Sequence, residues 1–240
     1  MLFLISIGIS DEKDMSLRAL EVAKSCDYLF FERYTSKIAT NCEKLKNIIG
    51  KEIIELKRED LEEGSEKIIK LAKDKNVGIL IPGDALVATT HIALAIEARK
   101  NGIDVKIIHG SSIFTAVSST GLQLYKFGRT ATLPKFKAES IKEIVDENKK
   151  RGVHTLLLID PEISIRDALE RICKEEIVKE DEKIVIYSNY KGDEIILYGF
   201  PKELANSNLL KDENQYSIII PGKLHFMEEE ALVFFSNKNI

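Results

Sequence analysis

Short apolar runs rich in Ile, Leu and Val recur along this chain, and stretches of helical periodicity separate them. The run Val77–Ile81 shows no polar alternation. A strand of that kind needs cover on both faces, which is the habit of a parallel sheet flanked by helices. The alternation therefore predicts an α/β protein with a largely parallel sheet. Strands are expected at Leu2–Ile9, Tyr28–Phe31, Ile53–Leu56, Val77–Ile81 and Val105–Ile108. Helices are expected from Asp14 or Ser16 to Ser25, over Thr40–Ile49 up to Gly50, over Leu61–Lys73 and over Thr90–Lys100. The texture changes past residue 112. A helix over Ile113–Thr120 ends at Gly121, and Gln123–Lys137 has little periodicity. Two α/β domains are expected, 1–112 and 113–240. The second should hold helices at Glu139–Lys150 and Ile165–Glu175 and strands at Thr155–Ile159 and Tyr216–Ile220. A hairpin of Ile184–Tyr187 with Ile195–Tyr198 should turn at Lys191-Gly192-Asp193.

Charge and composition exclude several functions. The 240 residues carry 35 Lys and Arg against 39 Asp and Glu, a formal charge of −4. A general nucleic-acid binder would show a basic domain. No apolar stretch approaches the roughly 18 residues of a membrane-spanning helix. The opening MLFLISIGIS lacks a basic leader and runs at once into Asp11-Glu12-Lys13-Asp14, so it reads as a buried strand of a cytosolic chain. Cys26, Cys42 and Cys173 lack the spacing of a metal site or disulfide framework and read as small buried thiols. His91, His109, His154 and His225 form no HxH or HExxH pattern, so no metal is expected.

The sharpest local feature is Pro82-Gly83-Asp84-Ala85-Leu86-Val87-Ala88-Thr89-Thr90-His91, between a strand and a helix. In open α/β sheets, ligands lie beyond the carboxyl ends of strands. Gly83 allows close backbone approach there, and Asp84 offers a carboxylate to hydroxyls or amines, or else caps its own turn. Gly8 closes the first strand, and Gly110-Ser111-Ser112-Ile113 makes another strand-to-helix junction whose amides could hold a carboxylate or be capped by serine. GxGxxG, GxxxxGK[ST] and GxSxG are all missing, so dinucleotide, P-loop and nucleophile-elbow chemistry find no support. Lys126, Arg129, Lys135 and Lys137, interleaved with Phe127 and Phe136, offer a candidate face for an acidic partner or a solvated loop.

Taken together, several segments resemble the diphthine synthase family, within the tetrapyrrole-methylase-like class of S-adenosylmethionine-dependent methyltransferases. They are Leu4-Ile5-Ser6-Ile7-Gly8-Ile9, Asp11–Arg18, Glu32-Arg33-Tyr34-Thr35-Ser36, Pro82–His91, His154–Leu158 and Pro221-Gly222-Lys223-Leu224-His225-Phe226-Met227-Glu228. The likeness covers nearly the whole chain. It implies a two-domain tetrapyrrole-methylase-like fold with S-adenosylmethionine in the inter-domain cleft, commonly as a homodimer. The implied substrate is a histidine of translation elongation factor two bearing a 3-amino-3-carboxypropyl group, whose amino group is methylated, to the trimethyl stage in archaea. Cofactor contacts implied by position are Ile9, Asp84, Val87, Ser112, Ile113, Leu158 and His225. No nucleophilic residue is implied, because the acceptor amine attacks directly. His225 could help remove its protons. Ala85 departs from the proline usual after PGD, Pro161 interrupts the usual LDIKxE, and residues 188–193 diverge, so no contact is carried to them. A methylase of the same fold acting on a corrin or other tetrapyrrole is the alternative.

Overall fold

In the computed structural model, which describes residues 1–62 and 64–237, the chain divides into two compact units, Met1–Phe114 and a second beginning at Thr115. The first unit runs β1 (Leu2–Ser6), α1 (Leu17–Ser25), β2 (Tyr28–Glu32), α2 (Cys42–Ile49), β3 (Ile54–Leu56), α3 (Arg58–Glu62), α4 (Glu66–Asp74), β4 (Val77–Ile81), α5 (His91–Lys100) and β5 (Val105–Ile108). Its strands form one parallel sheet in the order β3-β2-β4-β1-β5.

Strand alternation splits the apolar side chains between two cores. Leu2, Leu4, Val77, Ile79 and Ile81 face α4 and α5, packing with Ile68, Ala72, Leu94 and Ala98. Phe3, Ile5, Leu29, Phe31 and Leu80 pack with Ala19 and Ala23 of α1 and with Leu45 and Ile49 of α2. The missing polar alternation in Val77–Ile81 is thus the signature of a strand buried on both faces. Local signals set the helix ends. The Ser16 hydroxyl accepts from the Ala19 amide at the start of α1, and Gly50 closes α2 with φ +79°.

Three expectations change here. The first strand stops at Ser6 rather than Ile9, because Gly8 takes φ +84° and leaves the extended conformation. The single helix expected over Leu61–Lys73 is two, α3 and α4, divided around Gly64; residue 63 of that stretch lies outside the described residues. Asp14 does not cap α1. Its Oδ2 accepts from the Ile9 and Ser10 amides instead, at 3.1 and 2.9 Å, and so ties down the loop after β1.

A short helix, α6 (Ile113–Ala116), and a 3-10 turn (Val117–Thr120) replace the regular helix expected over Ile113–Thr120. The second unit continues with β6 (Ala131–Leu133), α7 (Ser140–Lys150), β7 (Thr155–Ile159), α8 (Ile165–Lys174), β8 (Ile184–Tyr190), β9 (Asp193–Gly199), α9 (Pro201–Ala205), β10 (Ser217–Ile220) and α10 (Phe226–Phe235). Its sheet has the order β6-β7-β10-β8-β9. Only β6 and β7 are parallel; the other neighbours are antiparallel. The expectation of a largely parallel sheet therefore holds for the first unit and fails for the second. Strands buried on both faces read alike in either direction, so apolar runs alone do not reveal it. The core on one face joins Leu157, Ile159, Ile184, Ile186 and Ile218 to Val145 of α7 and Leu169 and Ile172 of α8. The β8–β9 hairpin turns on Lys191 and Gly192, at φ 62° and 80°, the type I′ signature that matches strand twist. β6, α9 and α10 had no counterpart in the sequence reading.

Candidate active site at the strand ends

The loops after β1, β4 and β5 are knitted together at the carboxyl edge of the first sheet. The Ile7 amide donates to the Ile81 carbonyl at 2.9 Å, extending the β1–β4 ladder by one step. Gly8 and Gly83 then exchange two backbone bonds, the Gly83 amide to the Gly8 carbonyl at 2.7 Å and the reverse at 3.3 Å. The Ala85 amide donates to the Ser6 hydroxyl oxygen at 2.9 Å. Close approach requires glycine at two of these positions. A side chain on Gly8 would meet the Asp14 Cβ at 2.2 Å, and one on Gly110 would meet the Ser6 Cβ at 2.7 Å.

Asp84 is buried within this knot. Its Oδ1 accepts from the Leu86 amide at 3.0 Å, and its Oδ2 from His109 Nδ1 at 2.8 Å and the Gly110 amide at 3.2 Å. Burial alone would raise its pKa. The Leu86 amide, the His109 ring and the Gly110 amide more than offset that, so the carboxyl lies below its ordinary range and remains ionised. Asp84 is therefore a clamp between the β4 and β5 loops as well as a charge at the sheet edge. His109 Nδ1 donates to Asp84, and the side chain of that ring is 69% exposed.

The structure brings five of the seven expected contact residues to this edge. Ile9 follows β1, Asp84 and Val87 follow β4, and Ser112 and Ile113 follow β5. Ile9, Val87 and Ile113 are half-buried and Ser112 is buried. The Ser112 hydroxyl accepts from the Phe114 amide at 3.3 Å, so it caps its own turn. A side chain at Gly83 would meet nothing within 4 Å, which leaves room directly over the glycine. Open space above a backbone turn, half-buried aliphatic walls, an ionised carboxylate and an exposed imidazole suit a ligand that is part apolar and part hydrogen-bonding.

The other two expected residues lie in the second unit. Leu158 is half-buried in β7, between Thr132 of β6 and Ser217 of β10. His225 is exposed and caps α10, its Nδ1 accepting from the Met227 amide at 3.3 Å. Glu228 completes this capping box from a fully buried position. Its carboxylate accepts from the His225 amide at 2.8 Å, the Gln123 amide at 3.0 Å, His154 Nε2 at 3.1 Å and the Lys126 ammonium. His154 Nδ1 accepts from the Gly222 amide at 3.0 Å, which fixes the Nε2–H tautomer. Burial pushes Glu228 up, but the Lys126 ammonium and the surrounding N–H donors bring it down to about 2. Sequence reasoning passed over Glu228 and His154 as members of one cluster; the capping-box spacing His225-x-x-Glu228 was the available signal.

The expected basic face is not a field of free cations. Lys126 pairs with Glu228, Arg129 with Glu147, Lys135 with Glu162 and Lys137 with Glu139. Of the three free cysteines only Cys26 is buried; Cys42 and Cys173 are half-buried. Among the described residues, no group of three or more His, Cys, Asp or Glu is placed to hold a metal ion, and no helix is long and apolar enough to cross a membrane.

A parallel α/β unit with its β1, β4 and β5 loops gathered around a Gly-Asp turn, followed by a mixed-sheet unit, is the arrangement of a methylase family. The sequence profile described as Tetrapyrrole (Corrin/Porphyrin) Methylases matches residues 1–191. Diphthine synthase of Methanocaldococcus jannaschii is 41% identical, with 98% of each chain covered. That of Archaeoglobus fulgidus is 36% identical over 99% of this chain and 96% of its own. A crystal structure of diphthine synthase superposes with a TM-score of 0.92 at 35% identity, covering 98% of this chain and 95% of that one. The chain belongs to the tetrapyrrole methylase family, in its diphthine synthase branch.

Proposed function

We infer that this chain transfers methyl groups from S-adenosylmethionine to the amino group of a 3-amino-3-carboxypropyl histidine on translation elongation factor two, up to the trimethyl stage. Full-length similarity to diphthine synthases carries the reading, because it extends past residue 191, where the methylase profile ends, over nearly the whole chain. It also favours the elongation factor over a corrin or tetrapyrrole acceptor.

When bound, S-adenosylmethionine supplies an electrophilic methyl group on a sulfonium. The edge residues fit such a molecule. Ile9, Val87 and Ile113 offer aliphatic walls, the space over Gly83 admits it, and Asp84 sets a fixed negative charge beside the turn. The chain's main task is positioning, which can supply roughly 7–11 kcal/mol of a bimolecular barrier. Loops held by the Gly8–Gly83 pair and the Asp84–His109 clamp provide the rigidity this needs. Phe226, Met227, Val233, Phe234 and Phe235 expose a broad apolar face on α10, in keeping with a homodimer.

Two measurements test the reading. Labelled S-adenosylmethionine should transfer label to the elongation factor and none to a corrin precursor; the opposite result refutes it. Asp84→Ala should weaken calorimetric affinity for S-adenosylhomocysteine by about tenfold or more, a loss of about 1.4 kcal/mol. Unchanged affinity removes Asp84 from the binding site.

A further inference from the structure

A few residues past the turn that carries Asp84 and Val87, the first unit has a second polar feature. The start of α5 borders a hollow of about 250 Å³, lined in part by Tyr34, Ser65, Thr90, His91 and Glu97. His91 is buried, and neither ring nitrogen has a hydrogen-bond partner. Glu32, at the end of β2, is buried too. Its Oε2 accepts from the Tyr34 and Thr35 amides at 3.2 and 3.1 Å, while its Oε1 has no partner. That oxygen lies 3.8 Å from His91 Nε2, too far for a hydrogen bond. Three unsatisfied polar atoms in one buried cluster weaken the fold, and native chains carry few of them. The connecting loop is strained as well: Ala88, a residue with a Cβ, sits at φ +56°. Val87 and His91 are four residues apart on that loop, so the proposed methyl-donor contacts and the hollow share one short segment.

We propose that this hollow receives the acceptor amine and that His91 and Glu32 take up the proton the amine must lose before each methylation. The proposal rests on the methyltransferase reading above. In this step an ammonium N–H bond breaks and its electron pair stays on nitrogen. The proton passes to the His91 ring and, once that ring closes the 3.8 Å gap to Glu32 Oε1, on to the Glu32 carboxylate, which becomes a neutral acid and later releases the proton to solvent. Burial holds Glu32 at about 7, with its hydroxyl and amide donors at Thr35, the Tyr34 amide and the Arg58 guanidinium acting against it. Burial alone lowers His91 to about 4, so the ring is neutral and carries a proton only in passing. Glu97 is the carboxylate in the wall, and it accepts from the Ser65 hydroxyl at 2.8 Å; Glu32 lies behind the lining His91. The pair thus holds an acceptor that titrates where an alkyl ammonium must be relieved of its proton, and it is shielded from water.

The test compares wild type with Glu32→Gln and His91→Asn. Methyl transfer to the elongation factor is followed from pH 5.5 to 8.5, beside calorimetric affinity for S-adenosylhomocysteine and the melting temperature. Transfer at pH 7 should fall at least tenfold in both variants, and Glu32→Gln should erase the inflection near pH 7. Affinity should stay within twofold, and the melting temperature should hold or rise, because an unpaired buried group has been neutralised or shortened. Wild-type rates and pH profile in the variants would overturn the proposal. So would a parallel loss of affinity, which would put the pair in the cofactor cradle, or a lower melting temperature with activity lost only in proportion, which would make it structural. A wild-type chain that binds S-adenosylhomocysteine yet labels no elongation factor would refute the underlying reading and this proposal with it.

Discussion

Glu228→Gln is the sharpest test of how the second unit is held together. Glu228 is fully buried and accepts from Gln123, His225, His154 and Lys126. Its pKa drops from 4.5 to about 2, and each pKa unit is worth about 1.36 kcal/mol, so the ionised form contributes about 3 kcal/mol. The sign follows from the depression: the contribution is complete above the unfolded-state pKa, near 4.5, and is lost as pH falls toward 2. Glutamine keeps the shape but cannot carry the charge, and its amide points donors at donors. At about 2–4 °C per kcal/mol for a chain of this size, the variant should melt about 6–12 °C lower at pH 7. Its stability should also vary less between pH 5 and pH 2. Thermal melts followed by circular dichroism at pH 7, 4.5 and 2.5 would measure both. A variant within a degree of wild type at pH 7, with the same acid limb, would show that the four donors do not depend on the charge.

Three further outcomes follow from backbone and burial. Gly8→Ala should cost about 3 kcal/mol in urea unfolding, since φ +84° disfavours any L side chain and the new methyl would meet the Asp14 Cβ at 2.2 Å; a loss under about 1 kcal/mol would mean that the loop yields easily. Lys191→Asn should stabilise by a few tenths to about 1 kcal/mol, because asparagine tolerates the φ of 62° at this hairpin turn better than lysine; a lower melting temperature would contradict the type I′ assignment. Burial raises the Cys26 thiol to about 11, so at pH 8 a thiol reagent should label Cys42 and Cys173 ahead of Cys26 in the folded chain. Equal labelling rates would show that the region around α1 opens.

Much of the first unit was legible because its signals are local. Val77–Ile81 and Val105–Ile108 were bounded correctly as strands, Gly50 marked the end of α2, and Ser16 capped α1. The Gly83-Asp84 turn fell at a strand end, as its composition required, and Gly8 and Gly110 proved to be places where a Cβ would collide with the Asp14 and Ser6 side chains. Short elements with little apolar periodicity, such as β6 and α9, left no comparable trace.

Sequence alone determined the alternation of strands and helices, the caps, the strand-end glycines and the family. The alternation, caps and glycines depend on residue type and spacing within a few positions, where sterics and hydrogen-bond valence act directly, and the family on motifs spread along nearly the whole chain. Only tertiary structure decided that the second sheet runs largely antiparallel, that Asp84 reaches His109 across 25 positions, and that Glu228 meets Lys126 across 102. The same holds for Glu32 and His91, which lie 3.8 Å apart without a hydrogen bond. Desolvation and pairing depend on which side chains the fold brings together, and the chain's linear order does not carry that information.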